Sequence, residues 1–173
     1  VEHFDREHPE ALFERLRTIP DGGNTALRDA IAFSLRALGT SGGRSALVLL
    51  TDGIDTVSAT SRPELDKAVQ STAVTIYPVA YPASPDGDGP DPQEALKELN
   101  RLAQVTGGRL FKLPNEQALP GVLDEIAADL RAQYVLGFAP EAAGSPGLRK
   151  ISVSVPGHGK VVVRHRVGYR LQP

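Results

Sequence analysis

The sequence predicts an α/β protein with a three-layer, doubly wound and mostly parallel sheet, followed by a small antiparallel β extension. A short apolar run, Ala46–Thr51, ends at Asp52-Gly53, which is typical of a strand buried on both faces of a parallel sheet. Helix-like and strand-like segments alternate as far as Gln133, which favours parallel strands joined by crossover helices. After Gln133 the helical pattern stops and only strand-like segments follow.

Apolar residues at helical spacing predict the helices of the alternating part. The predicted helices are Pro9–Thr18, Thr25–Leu38, Pro63–Thr72, Gln93–Thr106 and Leu119–Gln133. Thr25 follows a turn rich in glycine, and we expect its hydroxyl to cap the second helix. Gly107-Gly108 provides a C-terminal stop for the fourth helix.

Apolar and β-branched runs predict the strands. The predicted parallel strands are Ala46–Thr51, Val74–Tyr81 and Arg109–Leu113, and the predicted antiparallel strands are Tyr134–Phe138, Leu148–Val155 and Lys160–Leu171. Pro82–Pro92 is rich in Pro, Gly and Asp and is predicted to be a loop, and Pro156–Gly159 is predicted to be a hairpin turn. We therefore divide the chain into an α/β domain, residues 1–133, and an antiparallel β extension, residues 134–173.

Composition argues against several classes of protein. The 173 residues include no cysteine, which excludes disulfides, thiolate zinc sites and cysteine nucleophiles. The net charge is −2, and no basic stripe with interleaved aromatic residues indicates nucleic-acid binding. No apolar run is long enough for a transmembrane helix, so we expect no membrane insertion. The sequence also contains no nucleophile elbow and no Walker-type loop, and we expect a protein that is not an enzyme.

The most informative polar residues lie around the end of the first predicted strand. Asp52 stands at its carboxyl end, which is where open α/β sheets bind ligands, and Gly53 lets the backbone turn sharply. Thr25 opens a helix, and a right-handed crossover brings it to the same edge of the sheet. A carboxylate and a hydroxyl are oxygen ligands that suit a hard cation. Asp52 is therefore a candidate metal ligand, and we expect Gly53 and Asp55 to be further binding residues.

Two motifs around these residues resemble the second half of a von Willebrand factor type A domain. They are GGNTALRDAI, Gly22–Ile31, and ALVLLTDGIDT, Ala46–Thr56. The resemblance implies a metal-ion-dependent adhesion site in which Thr25 and Asp52 are ligands. The family's Asp-x-Ser-x-Ser motif does not occur before Thr25. We therefore expect an N-terminally incomplete domain that lacks this motif and the central strand that carries it.

The end of the chain resembles one bacterial branch of the same family, in which a short β extension follows the type A domain. The segments that carry this resemblance are LRAQYVLGFAP, Leu130–Pro140, RKISVSV, Arg149–Val155, and RVGYR, Arg166–Arg170. The resemblance implies a protein-binding or adhesion-type module. It implies Mg²⁺, with Mn²⁺ or Ca²⁺ as alternatives. Because two protein ligands replace little of the hydration shell of the ion, we expect this chain to hold it weakly or not at all. We expect a protein partner that presents an acidic residue to the metal, and a secreted, periplasmic or cell-surface location.

Two other functions stay open. Asp52 after a buried strand is also the arrangement of a metal-dependent phosphohydrolase, although Ile54 occupies the position where such an enzyme generally has a second acid. The chain is alternatively a structural or assembly segment that binds no metal. Without a central strand, Ala46–Leu50 would present an uncharged open edge. We therefore expect a fragment whose missing N-terminal part supplies the strand, a homo-oligomer or strand exchange with another copy or chain, or a rearranged compact monomer.

Overall fold

The computed structural model describes residues 14, 17–18, 22–39, 43–81, 91–138, 147–157 and 161–170. Most of the predicted helix Pro9–Thr18 and of the predicted loop Pro82–Pro92 lies outside these residues. Over the described ranges the chain forms a mixed α/β structure with a parallel sheet of three strands and an antiparallel sheet of two strands. The coarse α/β prediction is therefore confirmed.

The described helices follow the predicted ones within two residues at each end. They are α1 (Leu27–Gly39), α2 (Arg62–Ser71), α3 (Pro92–Thr106) and α4 (Leu119–Arg131), and a short 3-10 turn, Glu116–Ala118, precedes α4. Local capping explains the starts of two of them. Ser61 and Glu64 form a capping box at α2, and the Asp91 side chain accepts a hydrogen bond from Gln93 N at α3.

The parallel sheet has the strand order β1–β2–β3. Its strands are β1 (Ala46–Thr51), β2 (Thr75–Ala80) and β3 (Phe111–Lys112). Ala46 lies opposite Thr75, and Val79 lies opposite Phe111, both in parallel register. The parallel pairing predicted from the alternation of helices and strands is confirmed.

Helices lie on both faces of this sheet. On one face, residues of α1, α2 and α3 pack against Ile76 and Ala80 of β2 and against Leu47 and Leu49 of β1. On the other face, Ile126 of α4 packs with side chains of β2 and β3. The structure therefore has three layers over β2 and β3, held together by aliphatic burial.

The prediction that β1 is buried on both faces is wrong. Val48 is 42% exposed and Leu50 is 51% exposed. The register places them opposite Tyr77 and Val79, on the face that α4 covers at β2 and β3. Because β1 is at the edge of the described sheet, this part of the strand has no described helix above it. An apolar run indicates that a strand is suited to burial, but its actual burial depends on the elements that pack against it in space.

The antiparallel extension is smaller than predicted. Its strands are β4 (Leu148–Lys150) and β5 (Gly168–Arg170), which pair antiparallel. The predicted strand Tyr134–Phe138 is wrong, since these residues form no strand and their large side chains are exposed. Phe138 makes an edge-to-face ring contact with Tyr169, with centroids 5.4 Å apart. That contact fixes a side chain but supplies none of the backbone hydrogen bonds that a strand requires.

The extension is anchored on the ends of two helices. Arg166 Nη2 donates a hydrogen bond to the carbonyl oxygen of Gln70 at 2.9 Å, at the end of α2. Val167 N donates to the carbonyl oxygen of Val105 at 3.3 Å, at the end of α3. A cation near helix C-terminal carbonyls is favoured by the helix dipole. Burial lowers the pKa of the Arg166 guanidinium.

Candidate functional site

The loop that follows β1 is bound to the segment that precedes α1. Thr25 N donates to Thr56 Oγ1 at 2.7 Å, and Thr56 N donates to the carbonyl oxygen of Thr25 at 2.8 Å. The chain therefore joins, at the carboxyl end of β1, the two regions that contain the predicted ligands.

The same loop caps α1. Asp55 Oδ2 accepts a hydrogen bond from Arg28 N at 2.8 Å, and Ser58 Oγ accepts one from Asp29 N at 3.2 Å. Because α1 begins at Leu27, Thr25 lies outside the N-cap position, and the prediction that Thr25 caps this helix is wrong. Residues from a distant loop satisfy the first amides of the helix instead.

Asp55 is committed to this arrangement. Its side chain is 9% exposed, and Oδ1 lies 3.2 Å from Arg28 Nη2 in an ion pair. Ser58 Oγ donates to Asp55 Oδ2 at 2.5 Å. Burial by itself would raise the pKa of Asp55, but the hydrogen bonds from Ser58 and Arg28 outweigh it and hold the pKa below its usual value. Asp55 therefore acts as a buried cap of α1.

Asp29 makes the reciprocal contacts from the helix to the loop. Its two carboxylate oxygens accept hydrogen bonds from Ala59 N at 2.9 Å and from Thr60 N at 2.7 Å. Hydrogen bonds from Thr60 and then Ala59 lower the pKa of Asp29. We name this set of reciprocal contacts the clasp. It joins three residues on the α1 side to five on the loop side: Thr25, Arg28 and Asp29, and Asp55, Thr56, Ser58, Ala59 and Thr60.

Neither Ser58 nor Asp29 was among the site residues predicted from the sequence. The D-x-x-S spacing from Asp55 to Ser58 is typical of a turn in which an acidic side chain accepts from a nearby amide, and Asp55 Oδ1 does accept from Ser58 N at 3.2 Å. That spacing could have indicated a structured loop. No local pattern indicates that the loop would reach α1.

Within the described part of the chain, each of the two predicted metal ligands keeps an oxygen atom without a hydrogen-bond partner. Asp52 Oδ1 accepts a hydrogen bond from Ile54 N at 3.0 Å. Among the described residues, Asp52 Oδ2 and Thr25 Oγ1 have no hydrogen-bond partner. The part of the chain that is described gathers no group of three or more His, Cys, Asp or Glu side chains suited to a metal ion. Coordination by Thr25 and Asp52 stays a prediction.

Gly53 allows the loop to pass close to α3. Its φ is +85°, and a Cβ atom there would lie 3.0 Å from Leu99 Cδ1 and 3.1 Å from Ala95 Cβ. Gly53 N also donates to Thr51 Oγ1 at 3.0 Å. The predicted role of Gly53 as the residue that permits a sharp turn is consistent with this backbone conformation, because left-handed φ values favour glycine.

A small cavity of about 150 Å³ opens beside this loop, between α1, α2 and α3. Leu27, Ile31 and Leu65 form part of its apolar lining, and Arg62 and Glu94 add charge. The cavity adjoins Gly53 and Asp55, so the candidate site has both polar and apolar surroundings.

Comparison of the sequence with protein-family models and with curated proteins finds no match. The resemblance to the von Willebrand type A family therefore stays a prediction based on the two motifs and the three C-terminal segments. None of the helices in the described ranges is long and apolar enough to cross a membrane.

Proposed function

We propose that this chain is a non-enzymatic protein-binding module in which Thr25 and Asp52 contribute to a weak divalent-cation site. One observation carries the proposal. Asp52 Oδ2 and Thr25 Oγ1 have no hydrogen-bond partner among the described residues, whereas the neighbouring carboxylates of Asp29 and Asp55 are committed to the clasp. Carboxylates that a fold does not use are available to a ligand.

The carboxylate oxygen of Asp52 and the hydroxyl oxygen of Thr25 are the type of ligand atom that Mg²⁺ prefers, with Mn²⁺ or Ca²⁺ as alternative ions. Mg²⁺ takes six oxygen ligands, keeps several waters, and accepts one or two carboxylates from a protein. One carboxylate and one hydroxyl replace little of this hydration shell, so the chain by itself holds the ion weakly or not at all. An acidic side chain from a protein partner would add the charge that the site lacks, and the cation would then join the two proteins.

The exposed side chains on β1 support a second surface for contact with another protein. Val48 and Leu50 are exposed on an uncharged strand at the edge of the described sheet. Such an edge offers unpaired backbone groups to an extended segment. Pairing with another copy of this chain, by oligomerisation or strand exchange, is one form that the contact can take. The proposed location, secreted, periplasmic or at the cell surface, is supported by the family resemblance alone.

The test uses Mn²⁺ as a paramagnetic probe of the ¹⁵N-labelled chain, because line broadening detects weak sites. Mn²⁺ should broaden the amide signals of Gly53 and Ile54, and Asp52→Asn should abolish this broadening. Asp124→Asn is the matched control, since Asp124 is an exposed acid on α4. Absence of selective broadening in the unmodified chain, or its persistence in Asp52→Asn, would reject the cation site. Magnesium-dependent hydrolysis of a generic phosphate ester, lost in Asp52→Asn, would favour the phosphohydrolase alternative instead.

A further inference from the structure

We propose that the clasp holds Thr25 at the edge of the sheet where Asp52 follows β1, with Asp55 as a positioning residue rather than a ligand, and that cation binding and clasp closure stabilise each other. This inference rests on the proposed cation site. Both carboxylate oxygens of Asp55 are already used. Oδ2 accepts from Arg28 N and Ser58 Oγ, and Oδ1 accepts from Ser58 N and pairs with the Arg28 guanidinium.

Asp52 is held independently of the clasp. It follows β1 directly, and its Oδ1 accepts from Ile54 N in a local turn. The next residue, Gly53, packs against Ala95 and Leu99 of α3. The sheet and α3 therefore fix the backbone on both sides of the Asp52 carboxylate.

Thr25 depends on the clasp. Its N–H and carbonyl groups both bond to Thr56, and Thr56 Oγ1 also donates to the Thr25 carbonyl at 3.2 Å. On the other side lie Gly22 and Gly23, which have φ of +101° and +91° and would have no atom within 4 Å of an added Cβ. Among the described contacts, the position of Thr25 is therefore set by Thr56 and by the start of α1.

The loop that carries Thr56 is itself held by Asp55 and Asp29. Asp55 fastens the loop to the amide of Arg28, and Asp29 fastens Ala59 and Thr60 to the helix. If these contacts open, Asp52 stays with the sheet while Thr25 is released. A cation that binds both residues favours the closed clasp, and by reciprocity the closed clasp favours the cation.

The first experiment measures Mn²⁺ broadening in the complete 173-residue chain. The unmodified chain should show broadening at Gly53 and Ile54 and also at Thr25 and Ala26. In Asp55→Ala the broadening should persist at Gly53 and be lost at Thr25 and Ala26. Asp55→Asn keeps an oxygen acceptor for the Arg28 amide, so part of the broadening at Thr25 should return. If Asp55→Ala still shows equal broadening at Gly53 and at Thr25 and Ala26, Asp55 does not position Thr25 and the proposal is overturned.

A chain without the cation site and a chain without the linkage would give different Mn²⁺ broadening patterns. If the unmodified chain shows no broadening at Gly53, the cation site itself is wrong and the linkage falls with it. If Asp55→Ala does not fold, Asp29→Ala opens the clasp from the helix side and should give the same selective loss at Thr25. Asp124→Ala should change neither group.

A second measurement tests the linkage without a paramagnetic ion. Mg²⁺ should slow hydrogen exchange at the amides of Arg28 and Asp29, which the loop binds. This slowing should disappear in Asp52→Asn, although Asp52 makes no contact with either amide in the described structure. Mg²⁺-independent exchange at these amides, in a chain whose Gly53 signal responds to Mn²⁺, would overturn the linkage while leaving the cation site in place.

Discussion

Replacement of Gly53 by alanine is expected to destabilise the fold at the candidate site. The φ of +85° at Gly53 lies in the left-handed region, which costs an L-residue about 1–2 kcal/mol. The added Cβ would lie 3.0 Å from Leu99 Cδ1 and 3.1 Å from Ala95 Cβ, and such overpacking costs about 1–3 kcal/mol. We therefore expect Gly53→Ala to lower the free energy of unfolding by about 3 kcal/mol, with Leu99 giving way to some extent.

Thermal unfolding followed by circular dichroism measures this change. For a chain of this size, a loss of about 3 kcal/mol lowers Tm by about 6–12 °C. Gly121→Ala is the matched control, because Gly121 lies in α4 and an added Cβ would meet no atom within 4 Å. That variant should gain about 0.4–1 kcal/mol, since alanine restricts the unfolded chain more than glycine does. A Gly53→Ala variant as stable as the unmodified chain would refute the reasoning from φ and contact distance.

Three further predictions concern acid, metal and assembly. The folded-state pKa values of Asp29 and Asp55 lie below the ordinary value of 3.8. The clasp therefore stabilises the fold above about pH 4, and this contribution is lost as the pH falls further. Urea unfolding at several pH values should show this loss of stability, and the loss should be smaller in Asp55→Asn. Calorimetry of the isolated chain should show no tight Mg²⁺ binding, and micromolar affinity would imply ligands beyond Thr25 and Asp52. Light scattering should show association through β1, weakened by Leu50→Lys, whereas a stable monomer with a cooperative unfolding transition would contradict an open edge that requires a partner.

The types and order of the elements could be predicted from the sequence. The bounds of β1 match the apolar run Ala46–Thr51, and α3 differs from its predicted bounds by one residue. These elements have strong local signals, such as an unbroken apolar run or a long helical stripe closed by Gly107. The segment Tyr134–Phe138 has an equally apolar composition but forms no strand, because a strand also needs a partner for its backbone.

The candidate site shows the same division between local and tertiary information. The position of Asp52 at a strand end and the need for glycine at position 53 follow from residues adjacent in the chain. Whether an acid is available to a ligand depends on which amides the fold brings to it. Asp55 and Asp52 differ little in sequence terms, yet Asp55 is enclosed by Arg28 and Ser58 while Asp52 keeps one oxygen without a described partner.

Periodicity and turn residues act over a few positions, and they were enough to predict an apolar parallel sheet with crossover helices and an acid at the end of its first described strand. The exposure of Val48 and Leu50, and the capping of α1 by a loop about thirty residues away, depend on the three-dimensional arrangement of the elements. Burial and hydrogen-bond satisfaction are properties of neighbours in space. No spacing within one segment specifies those neighbours.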